Sequence, residues 1–581
     1  MSHDLPGPSY VPFDAPVLEH GRSLWSAPDA KSLAIQSLPC LPVAGEVGEL
    51  RIRTGTSETL FADRYGGEGV AANGGSGRCG ILRGVQVKGV GRTPLAGNAR
   101  GYFHSYGGLS LQEGILDTIW GEICHRVLPY GAIRVRELYS TQTWVPVRYP
   151  KSNRTPVTPR AIAIRENCIR PAHFIRSPFF QPVPGLSGLS GGIDDAARTS
   201  AAVRLLPHLL SADSLTLGSQ FTDRRAELSP ETLADHLRQV FEKASKQLAC
   251  ARARRIMHGS LTPSNHSING QWLDFTSTTT VSDYGRIVIA RGAPDFMSED
   301  RLLYSGLTDF LYCTWKYSQG TQSSFPCYPD WVKFVFPSPQ DILRRHFCEE
   351  LLLLCGVARG ELPKLNRQLA LNLADTMLEI ARAGNHVPFS ILSSENNDYI
   401  PIMPTQTGAY HLPSILQILA SSPDQAWANE RLTSRLRSSR LRERLIASWF
   451  SLFPTVPEPI YTAERTDFLR VLNAVRLNSA VKDLYRTFLY DRISSVEPGS
   501  ARAEINDLVA YGVSRLGDID IDELRVNRGS VDYVAFSPAA GFSISGVRCD
   551  FEVGLRVLLG YLDAPPDVFE GLVARNAWNI S

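Results

Sequence analysis

The sequence predicts an α+β chain, with strands concentrated in the first part and helices in the remainder. Three observations predict it. Alternating segments such as Val85-Gln86-Val87-Lys88 occur between residues 81 and 165, with the two-residue period of a strand. Beyond residue 300 the apolar spacing is that of amphipathic helices. Between them, residues 258–274 read HGSLTPSNHSINGQWLD, a polar loop followed by an Asn269-Gly270 hairpin signal.

At 581 residues the chain has material for two to four domains. Its 43% apolar and 20% charged content is that of a water-soluble globular protein. A net charge of +2 gives no argument for a nucleic-acid or anionic-membrane partner. The first residues lack the pattern of a signal peptide, and no apolar run is long enough to span a bilayer. The ten cysteines are scattered without a CxxC pair, which argues against a zinc ribbon or disulfide framework and fits a cytoplasmic protein.

Residues 1–45 are rich in Pro and Ser and read as an arm on the main body. Then come Arg64-Tyr65-Gly66-Gly67 and Asn73-Gly74-Gly75-Ser76-Gly77-Arg78. Glycines let backbone N–H groups approach a phosphate closely, so Gly66, Gly67, Gly75, Gly77 and the neighbouring Arg78 are candidate phosphate contacts. No GxxxxGK[ST] is present, which excludes a simple P-loop match. Lys88 ends the following strand and precedes Gly89, a further candidate phosphate contact; a strand lysine after a glycine loop can hold nucleotide phosphates. Residues 110–128 have helical spacing, and either Glu113 or Asp117, one turn apart, could reach back to Lys88.

Residues 132–147 and 161–165 read as further strands. Arg165, Arg170 and Arg176 surround a His-bearing turn, and their guanidinium forks suit phosphate oxygens. Ser229-Pro230 starts a helix that runs toward His258, a rigid support for the loop after it. That loop and its hairpin present Asn265 and Asp274, hard oxygen donors suited to Mg²⁺ carried by nucleotide phosphates. Further helices are expected from Ser338 to about Cys355, from Leu365 to Ala383 and from Ala426 to Phe450, the last rich in arginine. The end of the chain mixes a strand-like VDYVAF with a helix near Phe551–Leu562.

These words follow protein-kinase order without an HRD or DFG. RYGG at Arg64–Gly67, QVKGVGRTP at Gln86–Pro94, FIR at Phe174–Arg176 and HGSLTPSN at His258–Asn265, with Asp274 beyond, resemble the selenoprotein O family. Its members are kinase-like proteins that transfer AMP from ATP to protein hydroxyls. More loosely, the chain resembles the MchC-type proteins of microcin maturation, thought to act on ribosomally made peptides. The first resemblance covers about residues 60–285. It implies a two-lobe kinase-like fold: N-lobe at 46–215, C-lobe at 216–400, and a mostly helical extension at 401–581. It also implies ATP with Mg²⁺ or Mn²⁺. Lys88 becomes the phosphate lysine, with Asp117 its partner before Glu113. Asn265 and Asp274 become metal ligands, while Arg176 and Arg165 become phosphate contacts.

The departure is Ser264, where the family has the Asp that would accept the acceptor's proton. The expected function is AMP or phosphate transfer onto a peptide or protein, with a carboxylate acceptor in mind because Ser264 is a poor base. The alternatives are a nucleotide-binding pseudokinase and a peptide-binding module.

Overall fold

The computed structural model describes residues 9–29, 37–70, 72–98, 106–146, 157–185, 188–189, 195–211, 229–284, 287–288, 294–318, 326–336, 338–383, 390–391, 410–454, 465–520, 522–528 and 531–576. The chain is α+β: a seven-stranded antiparallel sheet in the first part and a helical second part.

Strands β1 (Tyr10–Leu18), β2 (Arg22–Ser26), β3 (Ile52–Asp63), β4 (Cys79–Leu82), β5 (Val85–Lys88), β6 (Val135–Pro146) and β7 (Val157–Glu166) form the sheet in the order β1-β3-β4-β5-β7-β6-β2. Helix α1 (Leu111–Val127) packs on β6 and β7. It begins in a capping box: the Ser110 hydroxyl accepts the Glu113 N–H at 3.2 Å, and the Glu113 carboxylate accepts the Ser110 N–H at 3.1 Å. Gly114 lets the helix approach the sheet, since a Cβ there would meet Leu138 at 2.7 Å.

The arm expected at 1–45 is a correction. Its residues 10–26 supply both edge strands of the sheet, and Leu38, Cys40 and Leu41 pack over the sheet's outer face with Leu60, Val87 and Ile162. Pro12 and Pro16 sit on edge strand β1, where a missing N–H is tolerated.

Helices α2 (Asp195–Ser211) and α3 (Pro230–Ala253) follow, α3 capped by Ser229 as expected. The two-residue strands β8 (Ile256–Met257) and β9 (Thr279–Thr280) pair with each other and bracket the loop carrying Asn265 and Asp274. Beyond β10 (Ile287–Val288) come α4 (Asp300–Ser318), α5 (Tyr328–Val335), α6 (Pro339–Leu353) and α7 (Arg367–Ala383). Then follow β11 (Ser390–Ile391), α8 (Leu412–Ser421), α9 (Gln425–Leu432), α10 (Ser439–Leu452), α11 (Arg465–Asn478), α12 (Arg486–Ser494) and α13 (Ala501–Leu516). A four-stranded sheet, β12 (Leu524–Arg528), β13 (Val531–Ser537), β14 (Gly541–Ile544) and β15 (Val547–Arg548), precedes α14 (Phe551–Tyr561) and α15 (Pro566–Asn576).

The arginine-rich helix expected over 426–450 is two helices. Leu432 and Leu436 are buried at the break, and Ser438 caps the second helix. Several of its arginines close internal pairs: Arg431 and Arg435 with Asp567, Arg444 with Glu379.

One apolar core runs from the inner face of the large sheet through α1 and α3 into the C-terminal helices. Helix α13 lies on α1, where Gly512 permits contact: a Cβ there would meet Ile123 at 2.4 Å. Trp25 of β2 donates to Asn506 of α13 at 3.0 Å. No described helix is long and apolar enough to cross a membrane.

Candidate active site

The cleft lies between the inner face of the sheet and the loop after α3. Its volume is roughly 200 Å³, and its walls include Tyr65, Gly75, Gly77, Arg78, Lys88, Arg165, Arg170, Ser264, Asn265 and Asp274. Strand register builds the first wall. Lys88 pairs with Cys79 of β4 and Gln86 with Arg165 of β7, so Gln86, Lys88, Arg165 and Cys79 share one face.

Lys88 is 1% exposed, so it is no solvated strand end. Its Nζ donates to Asp117 of α1 at 2.5 Å and to Asp274 at 2.5 Å. The other Asp117 oxygen accepts the Phe275 N–H at 2.9 Å. Strand, helix and loop are thus tied at one ammonium. Glu113 goes elsewhere: it caps α1 and pairs with Arg78 at 3.4 Å. Of the two acids that spacing left open, Asp117 is the one on Lys88.

Asp274 is the electrostatic centre. Oδ1 accepts from Arg165 at 2.8 Å as well as from Lys88, and Oδ2 lies 3.7 Å from Arg170. Although burial opposes the charge, Arg165, Lys88 and Arg170 hold this carboxyl well below the usual carboxylate range. Its backbone is left-handed, φ 63°, a conformation that costs a non-glycine residue on the order of 1–3 kcal/mol. The carboxylate lines the cleft.

Support comes from behind. The Gln86 amide oxygen accepts from Arg165 Nε at 2.6 Å. Arg170 donates to the Ser264 carbonyl at 2.8 Å and stacks on Tyr65, 5.1 Å from the ring centre. His173 Nδ1 accepts the Arg170 N–H at 2.9 Å, leaving Nε2–H for Asp63 at 3.0 Å. Burial lowers the His173 pKa, and its Asp63 partner is lowered to about 2 despite burial. Sequence reasoning missed Gln86, Tyr65 and the Asp63–His173 pair. Gln86 had a signal, being two residues before Lys88 and therefore on its face.

The loop is held from below. His258 Nε2 donates to the Leu273 carbonyl at 3.0 Å; burial lowers its pKa to about 4, so it is neutral at pH 7. Glu299, just before α4, accepts the Gly259 N–H at 2.5 Å. Asn265 donates to the Ser260 carbonyl at 2.7 Å, and its backbone carbonyl accepts from Leu273 at 3.1 Å. The Ser264 hydroxyl lies 2.9 Å from Thr262 Oγ1 and donates to Asn265 Oδ1 at 3.3 Å.

Three residues expected as phosphate contacts, Gly66, Gly67 and Gly89, spend their N–H groups inside the chain instead. Gly66 and Gly67 donate their N–H groups to the carbonyls of Ala172 (3.0 Å) and Arg176 (3.2 Å), packing the loop against that segment. Gly89 donates to the Arg78 carbonyl at 2.9 Å, and a Cβ on it would meet the Ala161 carbonyl at 2.8 Å. Arg176 is absent from the described cleft walls and contributes its backbone to Gly67. Gly75, Gly77 and Arg78 do line the cleft.

Asn265 and Asp274 are hard oxygen donors in one wall. Among the described residues no cluster of three His, Cys, Asp or Glu side chains could hold a metal. A metal here would therefore take its other ligands from phosphate and water, as Mg²⁺ does. Asn265 Oδ1 and the Asp274 carboxylate are donors of the kind such an ion takes, with Asp274 Oδ1 now held by Lys88 and Arg165. Comparison with protein-family models and with curated proteins finds no match.

Proposed function

We propose that the protein is an ATP- and metal-dependent transferase of kinase-like, selenoprotein O-like architecture that moves AMP, or phosphate, onto a peptide or protein. The observation that carries this reading is the Lys88 ammonium bridging Asp117 of the helix and Asp274 of the loop, beside Arg165 and Arg170. A cleft with four cationic side chains and one carboxylate in its described walls suits a polyphosphate.

In this reading Asp117 keeps Lys88 extended while its ammonium turns to phosphate oxygens. Arg165 and Arg170 leave Asp274 for phosphate oxygens in the same way, which frees the carboxylate. Asp274 and Asn265 would hold the metal, which supplies charge neutralisation of the phosphates when bound. Arg78, kept by Glu113, adds charge from the glycine-rich side. Phosphoryl-type transfer depends mainly on such positioning and electrostatics.

The test is ATP titration by calorimetry with Mg²⁺ and with chelator, on wild type and Lys88→Met. Binding should need the metal and fall in the variant; equal binding in all four samples sinks the reading. ATP labelled at the α- or the γ-phosphorus then separates AMP from phosphate transfer. The hydrogen-bonded Ser264 hydroxyl favours a second reading, a nucleotide-binding pseudokinase, whose signature is metal-dependent binding without label transfer.

A further inference from the structure

The cleft holds an acid–base gap. Among the described residues that form its walls the one carboxylate is Asp274, and there is no histidine. Asp274 is engaged by Lys88 and Arg165 at 2.5 and 2.8 Å, and its role in the proposed function leaves it no proton to accept. Tyr65 and Cys79 carry groups that are protonated at neutral pH in their ordinary forms. Asp63 and His173 are committed to each other behind the wall. The hydroxyl groups of Ser260, Ser264, Thr276 and Ser277 are not bases.

A hydroxyl acceptor must lose its proton as it attacks, and a positioned base contributes typically ~10²–10⁴ to that rate. An amine acceptor arrives as an ammonium, which must also be deprotonated and is repelled by Lys88 and the arginines. A carboxylate needs neither step, since it is ionised at neutral pH and is drawn by the same cations.

We infer that the acceptor is a carboxylate, a peptide C-terminus or an Asp or Glu side chain, an inference that rests on the transferase reading. One carboxylate oxygen bonds to the α-phosphorus of ATP. The bond from that phosphorus to the bridging oxygen breaks, and its electron pair leaves on pyrophosphate. The product is an acyl adenylate, and no proton moves at the nucleophile. Attack at the γ-phosphorus gives an acyl phosphate and ADP by the same balance. Either mixed anhydride is open to capture by an amine.

The test uses the full-length protein, ATP, Mg²⁺, hydroxylamine and two synthetic peptide libraries. One has free C-termini and Asp and Glu but no Ser, Thr or Tyr. The other has amidated C-termini and Ser, Thr and Tyr but no Asp or Glu. Peptide hydroxamates and peptide-bound AMP or phosphate are read by mass spectrometry. Hydroxamate from the first library, at least ~10²-fold faster than any adduct on the second, is expected, that ratio being the low end of what a missing base costs. Ser264→Asp should shift the ratio toward the hydroxyl library. A stable adduct on Ser, Thr or Tyr by wild type overturns the inference. So does silence on both libraries while ATP binds in calorimetry; silence without ATP binding instead overturns the transferase reading beneath it.

Discussion

Two regions of this molecule bury arginines, and they use them differently. In the C-terminal part, Arg254, Arg476 and Arg515 are 5%, 4% and 2% exposed. Each of them donates to backbone carbonyls: Arg254 to Leu516, Arg476 to Ser514 and Gly517, Arg515 to Tyr561. Most of those carbonyls close helix α13, whose dipole favours cations there. Glu350 and Asp518 complete Arg254. In the cleft, Arg165 and Arg170 are as buried, yet they converge with Lys88 on one carboxylate beside an open volume. The first set is spent on partners inside the chain, with Arg515 also lying against the Tyr511 and Tyr561 rings. The second has partners that can be exchanged for an incoming anion.

The largest effect should come from Asp274→Ala, which leaves Lys88, Arg165 and Arg170 facing one another. Uncompensated buried charge costs about 3–5 kcal/mol in unfolding free energy, and turnover should vanish. Arg254→Ala should cost less, since Arg359 still holds Glu350 at 2.6 and 3.0 Å, and should leave ATP affinity unchanged. Denaturant titration paired with calorimetry measures both, and the comparison breaks if Arg254→Ala weakens ATP binding as much.

Lys88→Met comes next. Lys88 is a buried ammonium at the end of β5, so the substitution acts on the fold as well as on the cleft. The variant should lose stability, since Asp117 loses its cation, and weaken ATP binding at least ~tenfold, or about 1.4 kcal/mol.

A pH profile sharpens the contrast further. Burial raises Glu299 from 4.5 to about 7. Between those values the folded chain keeps a proton that the unfolded chain has lost. Stability therefore falls as pH rises through that window, by at most about 1.4 kcal/mol per pH unit, and levels above it. Asp274 has the opposite sign: its depressed pKa adds stability above the ordinary carboxylate range, lost only as pH falls below it. Glu299→Gln should flatten the fall between pH 4.5 and 7 in denaturant titrations and leave the acid limb intact.

The smallest effect is expected from Tyr65→Leu, which removes the ring under Arg170. A desolvated cation–π contact is worth about 0.5–2 kcal/mol. ATP affinity should fall a few-fold, with the metal requirement retained.

How much of this was legible in the sequence follows from which signals are local. The cap at Ser229, the strand at Val85–Lys88 and the helix bearing Asp117 are set by near neighbours, and they form where the pattern puts them. Asn265 and Asp274 reach one wall because a short hairpin joins them. The edge strands did not read, because β1 carries two prolines and β2 finds its partner β6 more than a hundred residues on. Gly66, Gly67 and Gly89 looked like phosphate contacts because glycine content shows where backbone can come close, not to what. Arg165 and Arg176 have the same chemistry in sequence; the register with Gln86 sends only the first to the wall. The kinase-like arrangement itself remains the proposal above.

The contact of α13 with α1 has a consequence for biosynthesis. Gly512 seats against Ile123, so the outer face of the helix that carries Asp117 is covered by residues made roughly 390 positions after that helix ends. At ribosomal rates of about 5–20 residues per second, that face waits ~20–80 s for its cover. During that interval the nascent sheet and α1 present apolar side chains that residues made much later will hide.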